Sequence, residues 1–147
     1  MRNPFNLRRG VAGFTFLEIM LVVMIIGLLA AVVGPRVVQQ GERARIRTTR
    51  LQIDAISSGL KLYALDVGTY PSTQQGLQAL LVRPSQVSEN VWDGPYIDAT
   101  SIPVDGWQKP FRYAYPGQHN EKGFDLFSVG PDGVENNADD VTNWVKP

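Results

Sequence analysis

Cysteine is absent from the 147 residues, and histidine occurs once, at His119. Disulfide frameworks, thiol nucleophiles and Cys- or His-rich metal sites are therefore excluded, and any metal held here must be a hard ion that takes oxygen ligands. A surplus of one charge is missing as well, because 14 Lys and Arg balance 14 Asp and Glu. That balance hides a polarity: residues 1–50 carry eight arginines against Glu18 and Glu42, which leaves six basic and twelve acidic residues for the remainder. The acidic excess falls on the part polar enough to fold as a globule, which argues against nucleic acid as a partner. A length of 147 residues with 44% hydrophobic residues allows one ordinary domain and one appended element. No phosphate-cradling loop is present, since Gly130-Pro131-Asp132-Gly133 lacks a lysine and a following helix. No nucleophile, base and oxyanion set stands out either, so an enzyme is not expected.

What is present begins with Phe14 to Val33, twenty positions with Glu18 as the only charge. As a helix this run covers about 30 Å, the thickness of a bilayer core. Arg2, Arg8 and Arg9 precede it, as in the basic start of an export signal. A cleaved secretory signal has an apolar stretch of about 7 to 15 residues, whereas this one is longer and interrupted by a carboxylate. A plain membrane anchor would leave Glu18 unexplained, because an acid in a lipid-facing helix costs about 3 kcal/mol and persists only with a polar partner or a task. A cut after Gly13 would free an ammonium at Phe14, near the depth of Glu18. Within one chain the first-turn N–H groups compete for that carboxylate, whereas the amine of a neighbouring copy would neutralise both charges and set a one-step axial stagger. Counting arginines does not orient the span, since Arg36, Arg43, Arg45, Arg47 and Arg50 outnumber the three in front.

Gly27 lies within the run and Gly34-Pro35 follows it. A kink or frayed stretch between them, or a helix boundary at Pro35, is expected from the lost donor and the crowded preceding turn. Beyond Pro35 the helical pattern resumes, with Ile46, Ile53, Ile56, Leu60, Tyr63 and Val67 forming one apolar stripe flanked by Ala55 and Leu62. This amphipathic helix, over 35–67, is expected to end near Asp66 with Gly68 as its stop. Arg43, Arg45, Arg47 and Arg50 fall around it, which suits a solvated collar beside lipid headgroups, with charge matching to acidic loops of neighbouring copies as a second role.

Residues 68–147 must cover the stripe. Breakers from Gly68 to Pro110 point to a loop-rich segment with one short helix around 73–81. Strands are expected over 111–115 and 124–129, joined through Pro116-Gly117 to Gly123, forming a small antiparallel sheet. The class is α+β: a long N-terminal helix whose C-terminal half packs on that sheet. His119 is assigned to a surface connection, and Trp92, Trp107 and Trp144 to packing. Residues 129–140 then gather Asp132, Glu135, Asp139 and Asp140 with Asn136 and Asn137 in a Gly/Pro-punctuated loop. Like charges this close repel, so the loop is either a solvated Asp-Gly turn or is neutralised by a cation. Calcium suits an all-oxygen ligand set of irregular geometry, although the spacing is not that of an EF-hand. The residues alone leave both readings open.

The stretch Gly13-Phe14-Thr15-Phe16-Leu17-Glu18, with basic residues before it and an apolar run after it, resembles the processing site of type IV pilins and type II secretion pseudopilins. Gly68-Thr69-Tyr70-Pro71-Ser72-Thr73-Gln74-Gln75-Gly76-Leu77-Gln78-Ala79-Leu80, together with Trp107, Pro110, Tyr113, Pro116-Gly117 and Asp140-Val141-Thr142-Asn143-Trp144, resembles the major type II secretion pseudopilins more narrowly. Gln108 and Asn120 depart from glycines usual in that family. The resemblance implies a leader, 1–13, cut after Gly13 by a prepilin peptidase, methylation of the Phe14 amine, and Glu18 as the residue that guides assembly. It implies a transmembrane and filament-core helix over 14–34, an amphipathic helix over 35–67 and a globular portion over 68–147. It also implies loss of helicity around Gly27, Gly34 and Pro35 in the filament. For the acidic loop it implies calcium held by Asp132, Asp139 and Asp140 with the carbonyls of Val129 and Val134, and Asn137, while Glu135 stays outside. The implied function is the major structural subunit of a periplasmic pseudopilus, extracted from the lipid bilayer of the inner membrane into a homo-oligomeric filament that helps drive folded exoproteins outward. An inner-membrane assembly platform with its ATPase and minor pseudopilins are the implied partners. A type IV pilin for adhesion, motility or DNA uptake is the nearest alternative, and a membrane-anchored periplasmic enzyme or binding module a more distant one.

Overall fold

A computed structural model of the chain describes residues 13–145, with the side chains of residues 32–37 outside that description. One α-helix, α1, runs from Phe16 to Val67. The chain divides into two compact units, Met1–Gln40 and Gly41–Pro147, and α1 contributes to both.

In the first unit every described residue from 13 to 31 is exposed, so among the described residues none buries this part of α1. Among the described residues no helix is long and apolar enough to cross a membrane. The helix from 16 to 31 extends about 24 Å, and the final two residues of the expected span, 32 and 33, lie outside the described side chains. The backbone is helical through Gly27 and through residues 34 and 35, which differs from the expected fraying and from a helix end at residue 34. A proline removes only one i→i−4 bond, and the valines, leucines and isoleucines before it are tolerable helix formers, so the helix continues.

In the second unit the stripe is buried as expected at Ile53, Ile56, Leu60 and Tyr63, with Ile46 and Val67 packed at its ends. The seven-residue gap between Ile46 and Ile53 is filled by Thr49, which is completely buried. Its hydroxyl donates to the Arg45 carbonyl at 2.9 Å and accepts the Gly106 N–H at 2.9 Å. Ala55 and Leu62, expected at the flank of the stripe, are instead exposed. The helix stops where Gly68 turns to a φ of 85° while its N–H still reaches the Ala64 carbonyl at 2.9 Å, a left-handed cap that glycine adopts without strain.

The cover consists of a 3-10 turn at Leu77–Leu80, shorter than the helix expected over 73–81, and three antiparallel strands. These are β1 (Arg112–Ala114), β2 (Asp125–Ser128) and β3 (Val141–Thr142), in the order β1-β2-β3. Tyr113 pairs with Leu126, and Phe127 with Thr142. The first two strands lie inside the expected ranges, whereas β3, only two residues long, carries too little alternation to be seen in advance. Phe111, Phe124, Leu126 and Val141 join Leu77, Ala79, Leu80 and Val87 in one core with the helix stripe.

Candidate functional site

At the start of α1, Phe14 is exposed and Thr15 caps the helix. The Thr15 hydroxyl accepts the Glu18 N–H at 3.2 Å, and the Thr15 carbonyl accepts the N–H of Ile19 at 3.2 Å. Thr15-Phe16-Leu17-Glu18 is thus the S/T-x-x-E pattern of a capped helix start, a signal readable in the sequence but absorbed there into the processing motif. Glu18 is exposed in the first turn, where the helix dipole favours an acid. Gly13, Phe14 and Glu18 therefore lie together at one helix end. Gly27 is embedded in α1, and apart from its chain neighbours and the helix's own backbone nothing lies within 4 Å of where a side chain would begin.

A second surface lies on the part of α1 that belongs to the globular unit. Gly41, Ala44, Thr48, Leu51, Ala55, Ser58, Leu62 and Leu65 recur at steps of three and four, and all eight are exposed. None is charged. Spanning about 36 Å of helix, they form a seam of coiled-coil spacing on the side away from the buried stripe. Leu51, Leu62 and Leu65 are 64%, 53% and 79% exposed, and leucines spaced along one helix face give a surface on which an apolar partner can pack. The sequence reading missed it because Gly, Ala, Thr and Ser dilute the apolar period.

The globule grips the helix at the corner 105–109. Asp105, almost fully buried, accepts the N–H groups of Trp107 and Lys109 on Oδ1 at 2.9 and 2.8 Å. Its Oδ2 accepts the Ser128 hydroxyl, whose oxygen in turn accepts the Gly130 N–H at 3.1 Å. Gly106 lies so close to α1 that a Cβ there would stand 2.6 Å from the Arg45 carbonyl oxygen. The Trp107 indole N–H donates to Glu42 at 3.1 Å, so this tryptophan ties the corner to α1 rather than only filling space.

The tail is fixed at a second buried acid. Asp125 accepts the N–H groups of Gln118, His119 and Asn120 at 2.7, 2.9 and 2.9 Å, and lies 3.1 Å from the His119 ring nitrogen Nδ1. Burial alone would raise its carboxyl, but the hydrogen bonds from His119, Asn120 and Gln118 outweigh it and hold the group below the usual carboxylate range. His119 is more than a surface loop residue: its ring stacks on Trp144, centroids 4.1 Å apart and planes 6° apart.

Residues 129–140 form a closed acidic loop. The Val129 carbonyl accepts the Gly133 N–H at 3.2 Å, and Asp132 accepts the Val134 N–H at 2.9 Å and the Asn137 amide at 2.7 Å. Asn137 accepts the Asp139 N–H at 3.1 Å, and buried Asp140 accepts the N–H groups of Asn136 and Asn137 at 2.8 and 3.2 Å. Asp139 folds over Gly130, where an added Cβ would lie 2.8 Å from its carboxylate. Two cations reach this loop from outside. The Lys109 ammonium donates to the carbonyls of Gly130 and Pro131 at 3.0 and 2.9 Å, and Arg112 pairs with Glu135 at 2.8 Å. Asp132, Asn137, Asp139 and Asp140 are thus linked in one hydrogen-bonded turn. Among the described residues, however, no group of three or more His, Cys, Asp or Glu side chains is gathered as a metal cluster. The donors present are all oxygens, the chemistry that a calcium ion takes.

Comparison with known proteins finds that residues 36–144 match the model of the family described as type II secretion system protein G. The core protein G of the type II secretion system of Pseudomonas aeruginosa is 43% identical over 143 residues, covering 93% of this chain and 97% of the relative. That of Klebsiella pneumoniae is 41% identical over 135 residues, covering 90% and 94%. Among solved structures, the major pseudopilin from the type 2 secretion system of enterohaemorrhagic Escherichia coli aligns with a TM-score of 0.60 at 36% identity, covering 72% of this chain and 87% of that one.

Proposed function

The chain belongs to the type II secretion system protein G family, the major pseudopilins, and from that premise we propose how it is processed and assembled as a structural subunit of the pseudopilus. Cleavage after Gly13 by a prepilin peptidase creates an amine on Phe14, which is then methylated. The mature subunit waits in the inner membrane with its globular unit in the periplasm, the front of α1 lying in the lipid bilayer. On assembly the Phe14 amine of one copy meets Glu18 of the next, so that neither charge enters an apolar core alone. An inner-membrane platform with its ATPase drives the extraction, minor pseudopilins share the fibre, and the growing filament helps move folded exoproteins through the outer membrane.

The observation that carries this reading is that, among the described residues, α1 leaves two surfaces exposed, the bare front from 14 to 31 and the uncharged seam from Gly41 to Leu65. A monomer gains nothing from either, whereas a homo-oligomeric filament covers both with apolar contact.

Calcium is proposed for the acidic loop. Asp132, Asp139 and Asp140 would hold it with Asn137 and the carbonyls of Val129 and Val134, an all-oxygen ligand set drawn from one loop. Its chemistry there is charge neutralisation of a loop with four carboxylates.

The deciding experiment expresses the chain with a type II secretion machinery and combines mass spectrometry of the product with electron microscopy of sheared fibres. A product beginning at methylated Phe14, with fibres that vanish in Glu18→Ala, is expected. A product that keeps Met1, or fibres of normal yield without Glu18, would overturn the proposed assembly.

A further inference from the structure

The acidic loop has a cation of its own. Lys109 is drawn toward it by two features of the fold. Its backbone is pinned on both sides by Asp105, which takes the Lys109 N–H on its carboxylate at 2.8 Å and gives its own N–H to the Lys109 carbonyl at 2.9 Å. The same buried carboxylate holds Ser128, and Ser128 holds the Gly130 N–H. One acid therefore fixes both the root of the lysine and the first corner of the loop, and the distance between them is set by the core rather than by the loop.

The ammonium spans the carbonyls of Gly130 and Pro131, and Gly133 makes room for it. A Cβ on Gly133 would lie 2.9 Å from Nζ, and the φ of 81° at this residue is one that side chains rarely adopt. The Gly130 carbonyl belongs to a buried residue, where a charge-assisted hydrogen bond is stronger than it would be in water. The Arg112–Glu135 pair is about half exposed at both ends and contributes little by comparison.

We propose that Lys109 is a positioning residue that closes the first corner of the acidic loop, so that the loop keeps its turn before any metal arrives and presents the remaining carboxylates to a divalent cation. Charge is consistent with this division of labour. Four carboxylates face two side-chain cations, Lys109 and Arg112, and the loop is left two charges short of neutral, the charge of one calcium ion. The clamp stands on the chain's own atoms, and only its consequence for calcium rests on the function proposed above.

The test uses the full chain in detergent micelles and reads amide hydrogen exchange over 132–140, with 53–63 of the buried helix stripe as the internal control. In chelator, Lys109→Met is expected to raise loop exchange about tenfold and leave the helix unchanged. Lys109→Arg, whose fork still reaches two carbonyls, is expected to stay near the wild-type rate. Wild-type loop exchange in Lys109→Met, or exchange in Lys109→Arg as fast as in Lys109→Met, overturns the proposal. Should the methionine variant lose helix protection as well, the arginine variant decides: protection kept supports the clamp, protection lost overturns it. In a calcium titration, the concentration that halves loop exchange is expected to rise several-fold in Lys109→Met. A wild-type loop indifferent to calcium would sink the metal reading and leave the clamp standing.

Discussion

The Thr15 hydroxyl accepts the backbone N–H of Glu18 at 3.2 Å, so the residue that caps α1 also sets the height of the front segment's one acid. Capping and assembly are separable by mutation. Thr15→Ala is expected to cost about 1 kcal/mol of local helix stability and to lower fibre yield partly, with Thr15→Ser restoring it. Glu18→Ala keeps the cap and is expected to abolish fibres. Equal yields from Thr15→Ala and Glu18→Ala, scored on immunoblots of sheared fibres, would contradict that separation.

Leu60 and Leu62 are two positions apart on one helix and face opposite surroundings, the first fully buried and the second 53% exposed. Leu60→Ala should destabilise the globular unit by about 2–5 kcal/mol. Leu62→Glu should change urea stability by no more than about 0.5 kcal/mol, yet place a charge on the seam and reduce fibre formation strongly. If Leu62→Glu polymerises like the wild type, the seam is not an assembly face.

The lowered Asp125 carboxyl makes a pH prediction whose sign follows from linkage. Its folded-state pKa lies below the ordinary aspartate value, so the stability it supplies is present above that ordinary value and is lost as pH falls through the folded pKa. Acidification below about pH 4 is expected to release the connection 118–120 and with it the His119–Trp144 stack. Asp125→Asn should be less stable at neutral pH and should lose part of the acid dependence, both measurable by thermal melts at several pH values. Parallel pH profiles for the two proteins would rule this out.

Chelation is the test of the acidic loop as a calcium site. Removing a ligand that binds only the folded state lowers the melting temperature by mass action, and cleavage should speed up between Asp132 and Asp140. Asp140→Asn should reproduce the effect without chelator, and no response to chelator in the wild-type protein would refute the proposed metal.

Much of this architecture is legible in the order of residues because it depends on local physics. An apolar run bearing one acid, a stripe at helical spacing, a glycine that ends the helix and an alternating Phe111 to Tyr115 each act over a few neighbours, and β1, β2 and the C-terminal end of α1 stand where those signals put them. Other features depend on which segments meet. Thr49 is invisible as a core residue until Gly106 comes to lie on it, and Val141–Thr142 becomes a strand only because β2 offers an edge to pair with. Lys109 and Asp105 look like ordinary surface polar residues in a turn. Their partners lie some twenty residues further on, at Gly130 and Ser128, and no period connects such distant positions.

The seam shows the division most plainly. By itself the sequence determined that helices cover 14–34 and 35–67, that one face of the second is apolar and that the first is too greasy to stand alone, because hydrophobicity and helical period are properties of neighbouring side chains. Only the tertiary structure decided how far around the helix the cover over that face extends. Ala55 and Leu62 pass for core by composition, and they are left bare because the sheet and the 105–109 corner occupy the opposite side of the helix.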